Sequence, residues 1–181
     1  RAGRLDWVLS ANAAPDALAP SFPTAVAGFL PLMTKFTELG RLPTPVNRVA
    51  FGAEVLLPVS DAEEGYRVIS DYLPFDLDRT QCSDFSYQIN RRRKSLAVEP
   101  LEVNRLTKWS VGKFTKHNFV LTGEGLAAIA EPESTSFSCR LELDINTVPK
   151  ADVNVAGDKL VPLTAELVGL ASEIIREGDI A

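Results

Sequence analysis

The sequence predicts an α+β domain built on an antiparallel sheet of about five strands with helices on one face. Three observations lead there. Apolar residues recur at a 3.6-residue period in several segments and at a period of two in others. The period-two segments follow one another over short connections and alternate apolar with polar, as strands do when they pair antiparallel and bury one face. Finally, 181 residues with 45% apolar and 24% charged content can bury a continuous core without metal or disulfide staples.

Residues 1–20 are rich in Ala and Pro and read as an irregular arm anchored by Trp7. From residue 21 onward the chain reads as a single α+β domain. Val26, Phe29, Leu30, Met33 and Phe36 set a helix between Ser21 and Gly40, with Pro23 in its first turn and Pro31 weakening its middle. Alternation around Val49, Phe51, Ala53, Val55 and Leu57 predicts a strand over 46–58. Ser60-Asp61-Ala62-Glu63 has the form of a capping box for a helix reaching Leu73, with Tyr66, Ile69 and Leu73 inward and Pro74 as its stop.

Residues 83–90 alternate Phe85, Tyr87 and Ile89 with polar partners, and 103–113 form a second strand. In that strand Leu106 falls out of phase with Trp109 and Val111, which predicts a bulge or a change of register. A strand over 117–121, a turn at 122–125 and a short helix over 126–130 follow. The cleanest alternation is in 134–147, where Phe137, Cys139, Leu141, Leu143 and Ile145 face one way. Leu160, Leu163, Leu167, Leu170 and Ile174 define a last helix over 158–177, ended by Gly178. The uncovered sheet face, with Gln88, Asn90, Arg140, Glu142 and Asp144, is either wet or a partner surface.

Charge is unevenly distributed. Residues 1–78 hold six Lys/Arg against ten Asp/Glu, 79–117 hold nine against three, and 118–181 hold four against eleven. The positive middle contains Arg91, Arg92, Arg93, Lys94, Arg105, Lys108, Lys113 and Lys116, interleaved with Tyr87, Trp109, Phe114 and His117. Cations beside rings suit a single-stranded nucleic acid, whose phosphates and bases they would hold. The same side chains equally suit an acidic protein partner, including a second copy, or serve to protect an exposed strand edge. The candidate binding residues are Arg91, Arg92, Arg93, Lys94, Arg105, Lys108 and Trp109.

Reaction chemistry is sparsely supported. Gly123-Glu124-Gly125-Leu126-Ala127-Ala128 fits a dinucleotide-binding turn in spelling, but Pro132 allows too short a helix, so a hairpin turn is the better reading. His117 is the single histidine and has no strained nucleophile turn to serve. Glu142 and Asp144 share a strand face, but Arg140 beside them points to cross-strand ion pairing rather than a metal. No cofactor is expected. Two cysteines without ligand spacing and no apolar run near ~20 residues suggest a reducing, cytoplasmic home and no membrane span. The chain begins at Arg1, and an N-terminal continuation is expected.

Asn47 to Ala53 (NRVAFGA), Leu57-Pro58-Val59, Asp84 to Arg91 (DFSYQINR) and Asn104 to Val111 (NRLTKWSV) resemble a sporadically distributed prokaryotic family of uncharacterised proteins. The likeness covers residues 46–147. It implies a bacterial or phage intracellular setting and carries no catalytic residue. The expectation is a non-enzymatic protein-interaction or assembly module. Nucleic-acid binding through 87–117 is the alternative, and a nucleotide-dependent or hydrolytic enzyme is the second.

Overall fold

The computed structural model describes residues 5–9, 20–40, 45–79, 82–116, 119–122, 125–128, 134–150 and 153–179. The elements are α1 (Phe22–Glu38), β1 (Ala50–Val59), α2 (Ala62–Ser70), β2 (Ser86–Lys94), β3 (Glu102–Lys116), β4 (Phe119–Thr122), β5 (Gly125–Ala128), β6 (Ser134–Thr147) and α3 (Gly157–Glu177). Four strands form an antiparallel sheet in the order β1-β6-β3-β2, one fewer than the five expected. The shortfall is β4, which pairs only with β5 in a separate two-stranded ribbon. The α+β class is as predicted.

Several boundaries differ from the sequence reading for local reasons. β2 continues to Lys94 instead of stopping at Asn90, so the basic run lies inside a strand. Burial alternates in one unbroken phase from Leu101 to Trp109, and Leu106 occupies the opposite face instead of marking a change of phase. The helix expected over 126–130 is strand β5, whose Gly125–Ala128 pairs residue by residue with β4; residues 129 and 130 lie outside the described residues. Leu and Ala favour a helix intrinsically, but a neighbouring strand overrides so short a preference.

By proximity the chain groups into two compact units. The first comprises Arg1–Gly52, Arg91–Arg105 and Asp144–Arg176. Here α1 is capped by Ser21, whose side chain accepts from Thr24 N, and Phe22 and Phe29 set their rings edge-on to Phe51. Trp7 meets Phe36 edge-on at 5.0 Å, anchoring the arm as expected. Thr147 N donates to Val49 O at 2.9 Å and Val49 N donates to Thr147 Oγ1 at 3.0 Å. Val155 N bonds Val46 O, and Val98, Leu101, Val155, Leu160 and Leu163 close into an apolar cluster. α3 contributes Leu160, Leu163, Leu167, Leu170 and Ile174 to the interior, the stripe read from its sequence.

The turn between β2 and β3 in this unit would leave several N–H groups without partners, and one carboxylate serves them. Glu166 on α3 accepts from Ser95 Oγ at 2.7 Å, Leu96 N at 2.8 Å and Ala97 N at 3.1 Å. Ser95 Oγ in turn accepts from Val98 N at 3.1 Å.

The second unit comprises Ala53–Asn90, Leu106–Leu143 and Glu177–Ala181. α2 packs so closely that a Cβ on Gly65 would lie 2.8 Å from Val111 Cγ1. The Cys139 thiol donates to Gly65 O at 3.4 Å. After α3, Gly178 takes φ +86 against the Tyr72 carbonyl, Asp179 N donates to Tyr72 O, and Tyr87 donates its hydroxyl proton to Asp179 Oδ2 at 2.8 Å. Any residue with a Cβ at position 178 meets both backbone strain and a clash.

Removing the Glu166 acceptor strands three donors at once. Glu166→Ala is expected to cost about 1–3 kcal/mol, with faster hydrogen exchange at Leu96 and Ala97. Unchanged chemical denaturation and unchanged exchange at those amides would show that the cradle contributes nothing.

Candidate functional site

A strand turns successive side chains to opposite faces, and this separates the predicted binding residues. On β2, Arg91 and Arg93 are half-buried in the phase of Tyr87 and Ile89, while Arg92 and Lys94 are exposed in the phase of Gln88 and Asn90. On β3, Arg105 and Trp109 are 6% and 5% exposed, in the inward phase with Val103 and Thr107. Lys108 is in the opposite phase, half-buried. The run of cations is contiguous in sequence and divided in space.

Two of the outward cations, Arg92 and Lys108, are paired. In the first unit Arg92 Nε donates to Asn104 Oδ1 at 3.1 Å, and its Nη1 lies 3.9 Å from Glu102 Oε2. Asn104 Nδ2 passes a hydrogen bond to Asn146 Oδ1, Asn146 Nδ2 donates to Asp144 Oδ1, and Arg48 stands 4.0 Å from that same oxygen. In the second unit Lys108 Nζ donates to Glu142 Oε1 at 3.1 Å. Arg140 lies 3.5 Å from that oxygen and donates from Nε to Glu54 Oε1 at 2.7 Å. Both chains of pairs run across strands on the polar phase, which accounts for Glu142 and Asp144 as ion-pair partners. Among the described residues no group of three or more His, Cys, Asp or Glu is placed to hold a metal ion.

Trp109 and Tyr87 are engaged as well, whereas Phe114 is exposed. Trp109 stacks on Tyr72 with centroids 5.7 Å apart and planes inclined by 19°. Its Nε1 and the Thr107 hydroxyl are buried without a hydrogen-bond partner among the described residues. Tyr87 lies edge-on to Phe75 at 5.1 Å. Base stacking therefore has no ready ring at these positions. His117, Gly123 and Glu124 lie outside the described residues; β4 and β5, on either side of 123 and 124, pair antiparallel.

An open recess of about 240 Å³ is lined by Asp61, Glu63, Glu64, Arg67 and Arg79. Its carboxylates are committed to the start of α2. Asp61, not Ser60, is the N-cap, and its Oδ1 accepts from Glu64 N at 2.9 Å. Glu64 reaches back to accept from Ser60 N at 2.8 Å and from Ser60 Oγ at 2.6 Å. The cap expected at Ser60 and Glu63 is thus made by Asp61 and Glu64, with Glu64 returning to Ser60 N and not to the N–H of the cap residue. The Glu64 backbone N–H holds the Asp61 carboxyl below its ordinary 3.8, and the Ser60 hydroxyl and N–H hold Glu64 below 4.5. Burial raises the Tyr66 phenol, whose hydroxyl donates to Ser83 O, and burial also raises the Cys139 thiol. A raised thiol pKa lowers the thiolate fraction and with it reactivity.

Among the described residues α1 is the helix without a buried residue. α1 has 17 residues and not one of them is buried. Leu32 and Leu39 are 64% and 56% exposed, and Leu5, Val8 and Leu9 of the arm are exposed beside them. The sequence signal was available in the width of the apolar arc on α1, which exceeds what Phe51 covers. Among the described residues no helix is long and apolar enough to cross a membrane. No family model, curated protein or solved structure matches the chain.

Two outcomes follow. Both cap carboxylates are depressed in the folded state, so their contribution is complete above their ordinary values and disappears as pH falls through the folded ones. Thermal stability should decline as pH drops from about 5 towards 3, and Asp61→Asn with Glu64→Gln should flatten that decline. An equal slope in both proteins would remove the cap from the acid response. Single-stranded RNA or DNA should bind no tighter than the non-specific range of about 10⁻⁴ to 10⁻⁶ M. Submicromolar binding that falls steeply with salt and is lost in Arg92→Glu would make the basic strand a nucleic-acid surface.

Proposed function

We propose that this chain is a non-enzymatic binding module, a protein-interaction or assembly component of a bacterial intracellular complex. The observation that carries the proposal is α1, an apolar helix of 17 residues with none buried. Monomeric proteins rarely leave a contiguous apolar stripe in water, because each buried Å² is worth about 25 cal/mol. The bacterial setting is supported by the resemblance over residues 46–147, and the intracellular one also by two cysteines that are free.

Of the predicted contact residues, Arg92 and Lys94 are exposed on β2, at the sheet edge opposite β1, whereas Arg105 and Trp109 belong to the interior. The outward ion pairs fit a rim better than a centre, since exposed pairs contribute roughly 0–1 kcal/mol.

The test is the native mass of the tagged chain in bacterial extract, compared with Leu32→Arg/Leu39→Arg. The wild-type chain is expected in an assembly heavier than its 19.7 kDa, and the variant as a monomer with an unchanged melting temperature. Wild type and variant both running at the monomer mass would defeat the interface reading.

A further inference from the structure

We propose that the free edge of β2 at Arg92 and Lys94 binds an extended acidic segment of a partner protein by strand addition. The proposal goes beyond the interface reading of α1 and does not need it, since every residue it uses belongs to Arg91–Arg105 or to α3 within the first unit.

The backbone makes the edge. β2 ends the sheet order β1-β6-β3-β2, and among the described residues no strand lies on its outer side. Ser95 N donates to Leu101 O at 2.9 Å across the turn into β3. In a trans peptide the preceding carbonyl points the other way, and backbone groups alternate in direction along a strand. The N–H and C=O groups of Arg92 and Lys94 therefore point away from β3, while those of Arg91 and Arg93 point towards it. Lys94 O accepts a bond of 3.5 Å from Arg93 Nε, near the limit for a hydrogen bond and readily exchanged for a peptide N–H.

The side chains select what pairs there. Arg92 and Lys94 are exposed, and residues 91–105 hold five Lys/Arg against Glu99 and Glu102. Glu102 pairs with Arg92, and among the described residues no carboxylate pairs with Arg93 or Lys94. A strand with acidic residues across from these cations gains an attraction at each pair, whereas β2 of a second copy would set cations against cations. Charge of this kind also deters accidental pairing at an edge, but protection accounts for the cations alone. Leu96, just beyond the strand, is 80% exposed. Its turn is fixed by Glu166, which accepts from Ser95 Oγ, Leu96 N and Ala97 N at 2.7, 2.8 and 3.1 Å. An apolar side chain held in water by an ordered turn is preorganised for contact, beside an edge whose donors and acceptors are open. Main-chain bonds supply the affinity of such a complex, and the cations with Leu96 supply its preference for acidic residues next to an apolar one.

The experiment follows amide hydrogen exchange of the purified chain while a short peptide of alternating Glu and Val is added to about 1 mM. Exchange at the Arg92 and Lys94 amides should slow roughly tenfold, which corresponds to a dissociation constant of about 0.1 mM, with Arg91 and Arg93, already bonded to β3, unchanged. The same peptide with Lys in place of Glu, or N-methylated throughout, should protect neither amide. Arg93→Glu/Lys94→Glu should weaken binding roughly tenfold or more, and Leu96→Ser should weaken it as well. No protection at Arg92 and Lys94 would leave the cations as edge protection and overturn the proposal. Equal binding of the N-methylated peptide would show charge attraction without strand pairing, protection that rises with protein concentration alone would show a second copy on the edge, and equal protection by single-stranded DNA would show a nucleic acid there; each overturns it too. Leu32→Arg/Leu39→Arg should bind the peptide as the wild type does, so the α1 reading and this one fail separately.

Discussion

The alternation of side chains along β3 and β6 is the constraint on which the rest depends. Because each residue faces opposite to its neighbours, one strand supplies both core and polar face. On β6, Leu141, Leu143 and Ile145 go inward while Arg140, Glu142 and Asp144 go outward. The same rule draws Arg105 into the interior phase of β3 and sends Lys108 outward. A run of four cations on β2 therefore cannot form one patch. It is divided between faces as soon as the segment is a strand, and Glu102 and Glu142 pair one cation each, Arg92 of β2 and Lys108 of β3.

The forces that hold each unit differ from those most visible on its surface. The outward ion pairs involve side chains between about a third and just over a half exposed, and such pairs are weak. Greater consequence attaches to buried apolar residues, to Gly65 against Val111 and to the Glu166 carboxylate that gathers three donors from one turn. In that turn a single charged acceptor substitutes for backbone partners that the chain reversal removes, and a charge-assisted bond is stronger than a neutral one.

Periodicity made most of the fold legible. The inward stripe of α3, the two faces of β6 and the edges of α1 follow from residue spacing alone. What spacing could not show was pairing. β2 was cut at Asn90 because Arg91 to Lys94 look like a solvated run, yet arginine stems lie comfortably along a sheet and the strand persists while β3 runs beside it. Residues 126–130 favour helix locally, and only the pairing of 126–128 with β4 decides otherwise. The cap of α2 was seen one residue early because Ser60 and Asp61 are both good caps and the choice depends on where the first helical turn closes. Glu166 left no signal, since its partners lie about 70 positions away.

The candidate site followed the same division. A basic, aromatic stretch is conspicuous in a list of residues, but conspicuousness in sequence is not accessibility. α1 was the less conspicuous segment, a moderately regular helix interrupted by Pro31, and its informative property is a mismatch between composition and burial. An isolated helix of this length is marginal in water, and tertiary packing normally supplies its stability. Here packing against Phe51 and Trp7 covers only part of the apolar arc. The remaining stripe either costs free energy in every molecule or is covered in an assembly, and covering it would couple the order of α1 to the presence of a partner. Stability that depends on protein concentration is the physical signature of that second state, and it is what distinguishes a covered α1 from one left in water.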